Sequence, residues 1–155
     1  MQKKTPTTPT VRNRKARHRF EILEKLHCGL ALRGTEVKSL RTGQGSLDEA
    51  YAHITAGEVW LVGFHIAPYS HAHADNHEPK RRRKLLLRRV EIHKLETKVT
   101  QKGLTLVPLE VYFNDRGLVK VMLAVARGKS RSDKRQDMKK TEHQREMDRA
   151  MRRRR

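Results

Sequence analysis

Five consecutive cations, Lys80-Arg81-Arg82-Arg83-Lys84, form the densest group in this chain that could do chemistry. Like charges crowded in this way are relieved by a phosphate backbone, which releases counterions on contact, so Arg81, Arg83 and Lys84 point to RNA or DNA binding. A solvated run that serves only solubility is the bland alternative. A second group, His71, His73, Asp75 and His77, offers three imidazoles and a carboxylate, the donor types that zinc takes. Its spacing matches no zinc site and the single Cys28 brings no second ligand pair, so a loop without metal is expected. Asp48-Glu49 is an adjacent acidic couple, but neighbours on a helix or strand point in different directions. With no Gly-rich phosphate loop, no nucleophile elbow and no zinc-protease pair, a binder without cofactor is expected, not an enzyme.

Charge says where a polyanion would be held. Residues 1–19 hold seven Lys and Arg and no acid, residues 20–126 sixteen against twelve, and residues 127–155 thirteen against five. Of the net +19, only a small part falls on the middle stretch. This pattern predicts a basic disordered arm over 1–19, one RNA-binding domain over 20–126, and a basic tail over 127–155. A lone cysteine, no apolar run near the roughly 20 residues of a membrane helix, and no apolar leader predict a cytoplasmic protein. Nothing in the pattern calls for self-association, so a monomer is expected.

The elements that must position these groups follow from periodicity. Phe20, Ile22 and Leu26, then Leu30 and Leu32, fall at even positions, as in extended chain with one face buried, and Gly29 suggests a bulge or bend. Thr35 to Arg41 reads as a short helix capped by Thr35 and ended at Gly43, with Val37 and Leu40 turned to the core. Residues 50–56 and 58–66 suggest a hairpin, its second strand apolar on both faces and therefore central. Residues 69–84 read as a polar loop. Ile92, Leu95 and Val99 predict a helix over 89–102 that stops at Gly103. Thr105–Phe113 and Leu118–Ala126 form the clearest hairpin, with Pro108 marking an edge or a bulge. Val119, Val121, Leu123 and Val125 share one face of its second strand, which puts Lys120 on the other. The tail lacks Gly and Pro beyond residue 128 and is rich in helix formers, but its apolar stripe is thin; disorder when free and helix against RNA are expected. Seven aromatics and no aromatic RNA-binding motif argue for recognition by shape and backbone instead of broad stacking. The fold class this predicts is mainly β with a few helices, a small antiparallel barrel of the oligonucleotide-binding type.

Five ordered blocks make the sequence more specific. Asn13 to His18 (NRKARH), Gly34 to Arg41 (GTEVKSLR), Arg83 to Leu87 (RKLLL), Leu106 to Leu109 (LVPL), and Ala126 to Lys129 (ARGK) followed by Asp133-Lys134-Arg135 stand in the order found in the SsrA-binding (small protein B) family. The chain resembles that family from about Asn13 to the tail. The resemblance implies an RNA-binding adaptor of trans-translation, with transfer-messenger RNA (SsrA RNA) and the ribosome as partners and elongation factor Tu reached indirectly through the alanyl-charged RNA. By position it implies RNA contact at Leu86 and Lys120; Arg127 and Lys129, in the matching block at the start of the tail, are expected to bind RNA as well. Asp133, Lys134 and Arg135 match the motif that acts inside the ribosome. His27 stands where many relatives carry a glutamate implicated in RNA binding, and Ser132 where some carry a histidine. A structural ribosomal protein, or a general RNA binder with basic extensions, is the alternative from another class.

Overall fold

The computed structural model describes residues 8–72 and 74–153. Its chain runs β1 (Val11–Arg12), α1 (Ala16–Arg19), β2 (Phe20–Leu30), α2 (Gly34–Arg41), β3 (Gly45–Ser46), β4 (Tyr51–Thr55), β5 (Glu58–Val62), β6 (His65–Ile66), β7 (Arg83–Leu86), α3 (Arg89–Lys102), β8 (Thr105–Phe113), β9 (Val119–Gly128) and α4 (Arg131–Arg153). Six antiparallel strands hydrogen-bond in the order β8-β4-β5-β7-β2-β9, and β9 pairs back onto β8 to close the ring. β1 adds to the outer edge of β8, while β3 and β6 form a separate pair. Closure removes the exposed edges that a free sheet of this size would offer for aggregation.

The expected elements over 89–102 and 105–126 are present. Arg88 N–H donates to Glu91 Oε2 at 2.8 Å to start α3, and Gly103 ends it in the left-handed region, φ +60°. The β8–β9 register slips between Pro108 and Glu110, the bulge that a proline without an N–H invites. β5 lies between β4 and β7, with Val59 and Leu61 fully buried. It ends at Gly63, whose φ of +74° and close approach to the Glu49 carbonyl leave no room for a side chain. The barrel interior takes Cys28, Leu30, Ala52, Val59, Leu61, Leu85, Leu106, Val121, Leu123 and Val125, and Leu40, Phe64 and Leu95 join the same core.

Four expectations need correction. Residues 11–19 are not a loose arm, although residues 1–7 lie outside the described ones. Val11 is buried opposite Val111, and Asn13 ties this segment to the β8 bulge: its side-chain amide donates to Pro108 O at 3.1 Å and its Oδ1 accepts from Ala16 N–H at 3.1 Å. Ala16 then packs with Val107, Leu109, Ala124 and Ala126 in a second cluster on the outside of β8 and β9. Next, Gly29 sits in regular pairing, and the β2 bulge lies between Ile22 and Glu24. Finally, Thr35 does not cap α2. Glu36 does, accepting from Arg33 N–H at 2.7 Å, while Thr35 Oγ1 bonds His77 Nδ1 at 2.9 Å. At the far end β9 runs on to Gly128, so the tail begins two residues later than expected. Residues 131–153 are helical, as their composition allows, and none of them is buried.

Glu36 is the buried hub. Its carboxylate accepts from Arg81 Nε (2.7 Å) and Nη2 (2.6 Å) and from Arg83 Nε (2.8 Å). Arg83, 0% exposed, also donates from Nη1 to Phe64 O (2.6 Å) and Arg81 O (3.0 Å), and from Nη2 to Pro79 O (3.1 Å). Burial alone would raise the Glu36 pKa, but the hydrogen bonds from Arg81 and Arg33 and the charge of Arg83 hold it below its ordinary 4.5. A depressed carboxylate stabilises the fold at neutral pH and loses that contribution as the pH falls below about 4.5. Glu36→Gln leaves Arg83 buried without its counter-ion and is expected to cost about 3–5 kcal/mol in urea unfolding at pH 7. The gap between wild type and variant should narrow as the pH is lowered from 5 toward 3.

Candidate nucleic-acid interface

The strand registers align a row of residues across four strands of the barrel. Leu86 on β7 faces Gly29 on β2, Gly29 faces Lys120 on β9, and Lys120 faces Tyr112 on β8. Cys28, Leu85, Val121 and Val111, one residue along each strand, are buried, so this row points out of the barrel. Two residues away lies a second outward row: His27 faces Met122, which faces Glu110, which faces Arg12. His27, Leu86 and Lys120, scattered in sequence, therefore meet on one outer face.

Each member has a distinct local cause. Gly29 has to be small, because a Cβ there would stand 3.1 Å from that of Leu86. Its absence lets the 52% exposed Leu86 side chain lie across β2 as an apolar contact surface. His27 Nδ1 is 2.6 Å from the Tyr112 hydroxyl, the two rings edge to face with centroids 5.8 Å apart. Desolvation, and then the charge of Glu110, raise the Tyr112 pKa above its ordinary 10.0, so its hydroxyl keeps its proton. A phenol is the better donor of the pair, so the Tyr112 hydroxyl donates to Nδ1 and His27 presents Nε2–H to solvent. The site then offers a donor where a glutamate would offer an acceptor. Below it, burial first and then the charge of Glu91 push the Cys28 thiol up to about 12, and its Sγ lies 3.5 Å from Val121 O. This cysteine packs; it does not react.

The basic run is where the sequence reading fails most clearly. Arg83 was expected at RNA, yet it is wholly buried on Glu36. Arg81, with 24% of its side chain exposed, is committed to the same carboxylate, and Lys84 stays at the surface paired to Glu58. Charge crowding is thus relieved from within, by glutamates contributed by α2 and the β4–β5 hairpin. The histidine run also divides: His77 is buried between Thr35 Oγ1 and Ile66 O (3.0 Å), His71 is exposed beside Tyr69, and His73 lies outside the described residues. Among the described residues no His, Cys, Asp or Glu cluster of metal-holding kind forms.

At the root of the tail, Arg127 is exposed at the end of β9, while Lys129 turns back. Its Nζ donates to Arg17 O at 2.8 Å and pairs with Asp137, leaving 17% of the side chain exposed. Lys129 is a clasp between α1 and α4 and not the free cation expected. Asp133 starts α4: its Oδ2 accepts from Ser130 N–H (3.1 Å) and Ser130 Oγ–H (2.6 Å), and Ser130 Oγ accepts from Asp133 N–H (3.2 Å). These bonds from Ser130 hold its carboxyl below the usual 3.8. Lys134 is partly covered and Arg135 is exposed. Tyr112 and Glu36 escaped the sequence reading. Tyr112 needed the β8–β9 register to be seen, and Glu36 looked like an ordinary helix-start acid.

A closed barrel with an outward apolar-cationic row and a basic helix on its C-terminal side defines an RNA-binding module. The sequence model of the family described as SmpB protein matches residues 10–153. The SsrA-binding protein of Desulforamulus reducens is 52% identical over 142 residues, 92% of this chain and 88% of the relative. That of Chelativorans sp. is 47% identical over 154 residues, 99% of each chain. Among solved structures, a chain described under "tmRNA-SmpB: a journey to the center of the bacterial ribosome" superposes with TM-score 0.67 at 51% identity, covering 79% of this chain and 86% of that one. The chain belongs to the SmpB family.

The geometry at His27 is directly testable. Imidazole 15N spectra at pH 8 should show His27 as the Nε2–H tautomer. Tyr112→Phe should convert it to a tautomer mixture, with a stability loss below about 1 kcal/mol because the bond is exposed.

Proposed function

We infer that this chain is the RNA-binding adaptor of trans-translation. Its barrel binds the tRNA-like domain of transfer-messenger RNA through the outward face that carries Leu86, Lys120 and His27. With that RNA it enters the vacant A site of a stalled ribosome, where the tail occupies the decoding centre and the empty message channel. The observation that carries this reading is that the family match spans barrel and tail together, residues 10–153. Relatives that are half identical over nearly their whole length are named SsrA-binding proteins, and the solved relative is described with tmRNA and the ribosome.

The residues divide the work. Leu86 supplies an apolar surface, Lys120 a charge for phosphate, and His27 Nε2–H a donor. Arg127, exposed at the end of β9, extends the cationic face toward the tail. Asp133 fixes where α4 starts, which leaves Lys134 and Arg135 for ribosomal RNA. Because α4 buries nothing, phosphates of a vacant channel can hold it, and a channel filled by message excludes it. Elongation factor Tu is met only through the alanyl-charged RNA. No helix among the described residues is long and apolar enough to cross a membrane, and the reading places the protein in the cytoplasm, as a monomer, without cofactor or reaction of its own.

Deleting residues 131–155 is expected to leave affinity for the tRNA-like domain within a few fold while abolishing tagging in a reconstituted translation reaction stalled on a message without a stop codon. Equal loss of both would refute the division of labour. Lys120→Glu is expected to weaken RNA binding itself by about 1.5–3 kcal/mol in a mobility-shift titration.

A further inference from the structure

Of the five consecutive cations, Arg82 alone has no carboxylate partner among the described residues. Lys80 pairs with Glu49, Arg81 and Arg83 with Glu36, and Lys84 with Glu58. Arg82 is exposed, and its guanidinium lies 4.7 Å from the centre of the Trp60 ring. Trp60 points out of the barrel because its neighbours Val59 and Leu61 are buried inside. In register it faces His53 on β4 and Lys84 on β7. Tyr51, two residues before His53 and so on the same face, is 49% exposed, and the Tyr51 and His53 rings sit 6.2 Å apart at 37°. His53 Nδ1 is buried with no hydrogen-bond partner.

The outer face of β4, β5 and β7 therefore carries three rings and one unopposed guanidinium. It lies beside the Leu86 and Lys120 row, sharing β7 with it. The core does not need these rings, since Ala52 and Leu61 on the same strands already fill the interior. We propose that this face is a second RNA site, which stacks unpaired bases of a single strand on Tyr51 and Trp60 while Arg82 holds an adjacent phosphate. Every base has a π-face that a ring or a guanidinium plane can cover, so such a platform takes single strands with little regard to sequence. Two outward rings within reach of one unopposed cation favour nucleic acid over an acidic peptide, because bases bring π-faces to stack and carboxylate side chains bring none. The first RNA face would hold a folded RNA by its shape; this one would hold a looped-out or single-stranded segment.

Trp60 is the only tryptophan, so its emission reports on the face directly. Titrating the full chain with hexa-adenylate should quench that emission saturably, and Tyr51→Ala and Arg82→Ala should each weaken the binding by about tenfold or more. Tyr51→Ala should unfold at the wild-type temperature and bind the tRNA-like domain with unchanged affinity. Lys120→Glu should show the reverse pattern, retaining the quench while losing the structured RNA. Emission that hexa-adenylate does not move, or a quench that Tyr51→Ala and Arg82→Ala leave intact, overturns the proposal. So does stronger quenching by a poly-glutamate peptide, which would assign the face to a protein partner. An equal loss of structured-RNA binding in Tyr51→Ala would overturn its independence from the first face. Failure of the wild-type chain to bind the tRNA-like domain would count against the adaptor role alone.

Discussion

The buried Glu36 carboxylate, with Arg81 and Arg83 upon it, is the constraint from which the recognition face follows. It joins α2 to β7, and through the Arg83 bonds to the carbonyls of Phe64 and Pro79 it also secures the long connection between β6 and β7. Taking the Glu36 and Arg83 charges out of water is costly, and the pair persists because most of its donors and acceptors are met inside the fold. Its larger consequence is parity. With Arg83 locked inward, Lys84 must face out, Leu85 in and Leu86 out, since a strand alternates and a one-residue slip would bury Leu86 and expose the arginine. The outward placing of Leu86 is thus decided three residues away by a charge that is wholly buried.

Rigidity on that face and looseness beyond it have separate causes. Leu86, Lys120 and His27 stand on three neighbouring strands of a closed ring, each next to a buried residue, Leu85, Val121 and Cys28 respectively, so their spacing is set by the sheet. α4 has local capping at Ser130 and Asp133 and one clasp through Lys129, but none of its described residues is buried. A helix held in this way can be redirected by a change of partner at its surface. Within Asp133-Lys134-Arg135 the first residue builds the helix start, while Lys134 is partly covered and Arg135 is exposed.

What could be read from the sequence was what local pattern determines. The β8–β9 hairpin, the Pro108 bulge, α3 with its Gly103 stop, and the outward Lys120 all follow from periodicity and from proline and glycine chemistry. The segment from Val11 to Arg19 misled because its composition is that of a solvated arm, whereas its attachment depends on one valine, one asparagine and one alanine meeting β8. Arg83 misled for the opposite reason. Five cations in a row look alike, and only the distant glutamates decide which is swallowed, which are neutralised at the surface and which remains free. Sequence separation, not weak signal, hid these contacts: Glu36 lies 47 positions from Arg83.

The distribution of charge then assigns affinity and selectivity to different parts of the molecule. With four of the five clustered cations matched to glutamates, and acids close to balancing bases over residues 20–126, the barrel has little long-range pull on a polyanion. Its contribution must come from shape, a few donors and apolar or ring contacts, which salt barely screens. The ends carry the unbalanced charge, so counterion release, and with it the salt dependence of binding, belongs mainly to them. High salt would therefore weaken capture of any RNA by the ends more than it weakens discrimination among folded RNAs by the barrel. On the proposed adaptor reading, the charged ends draw the molecule to RNA in general, and the nearly balanced barrel selects among folded RNAs by shape.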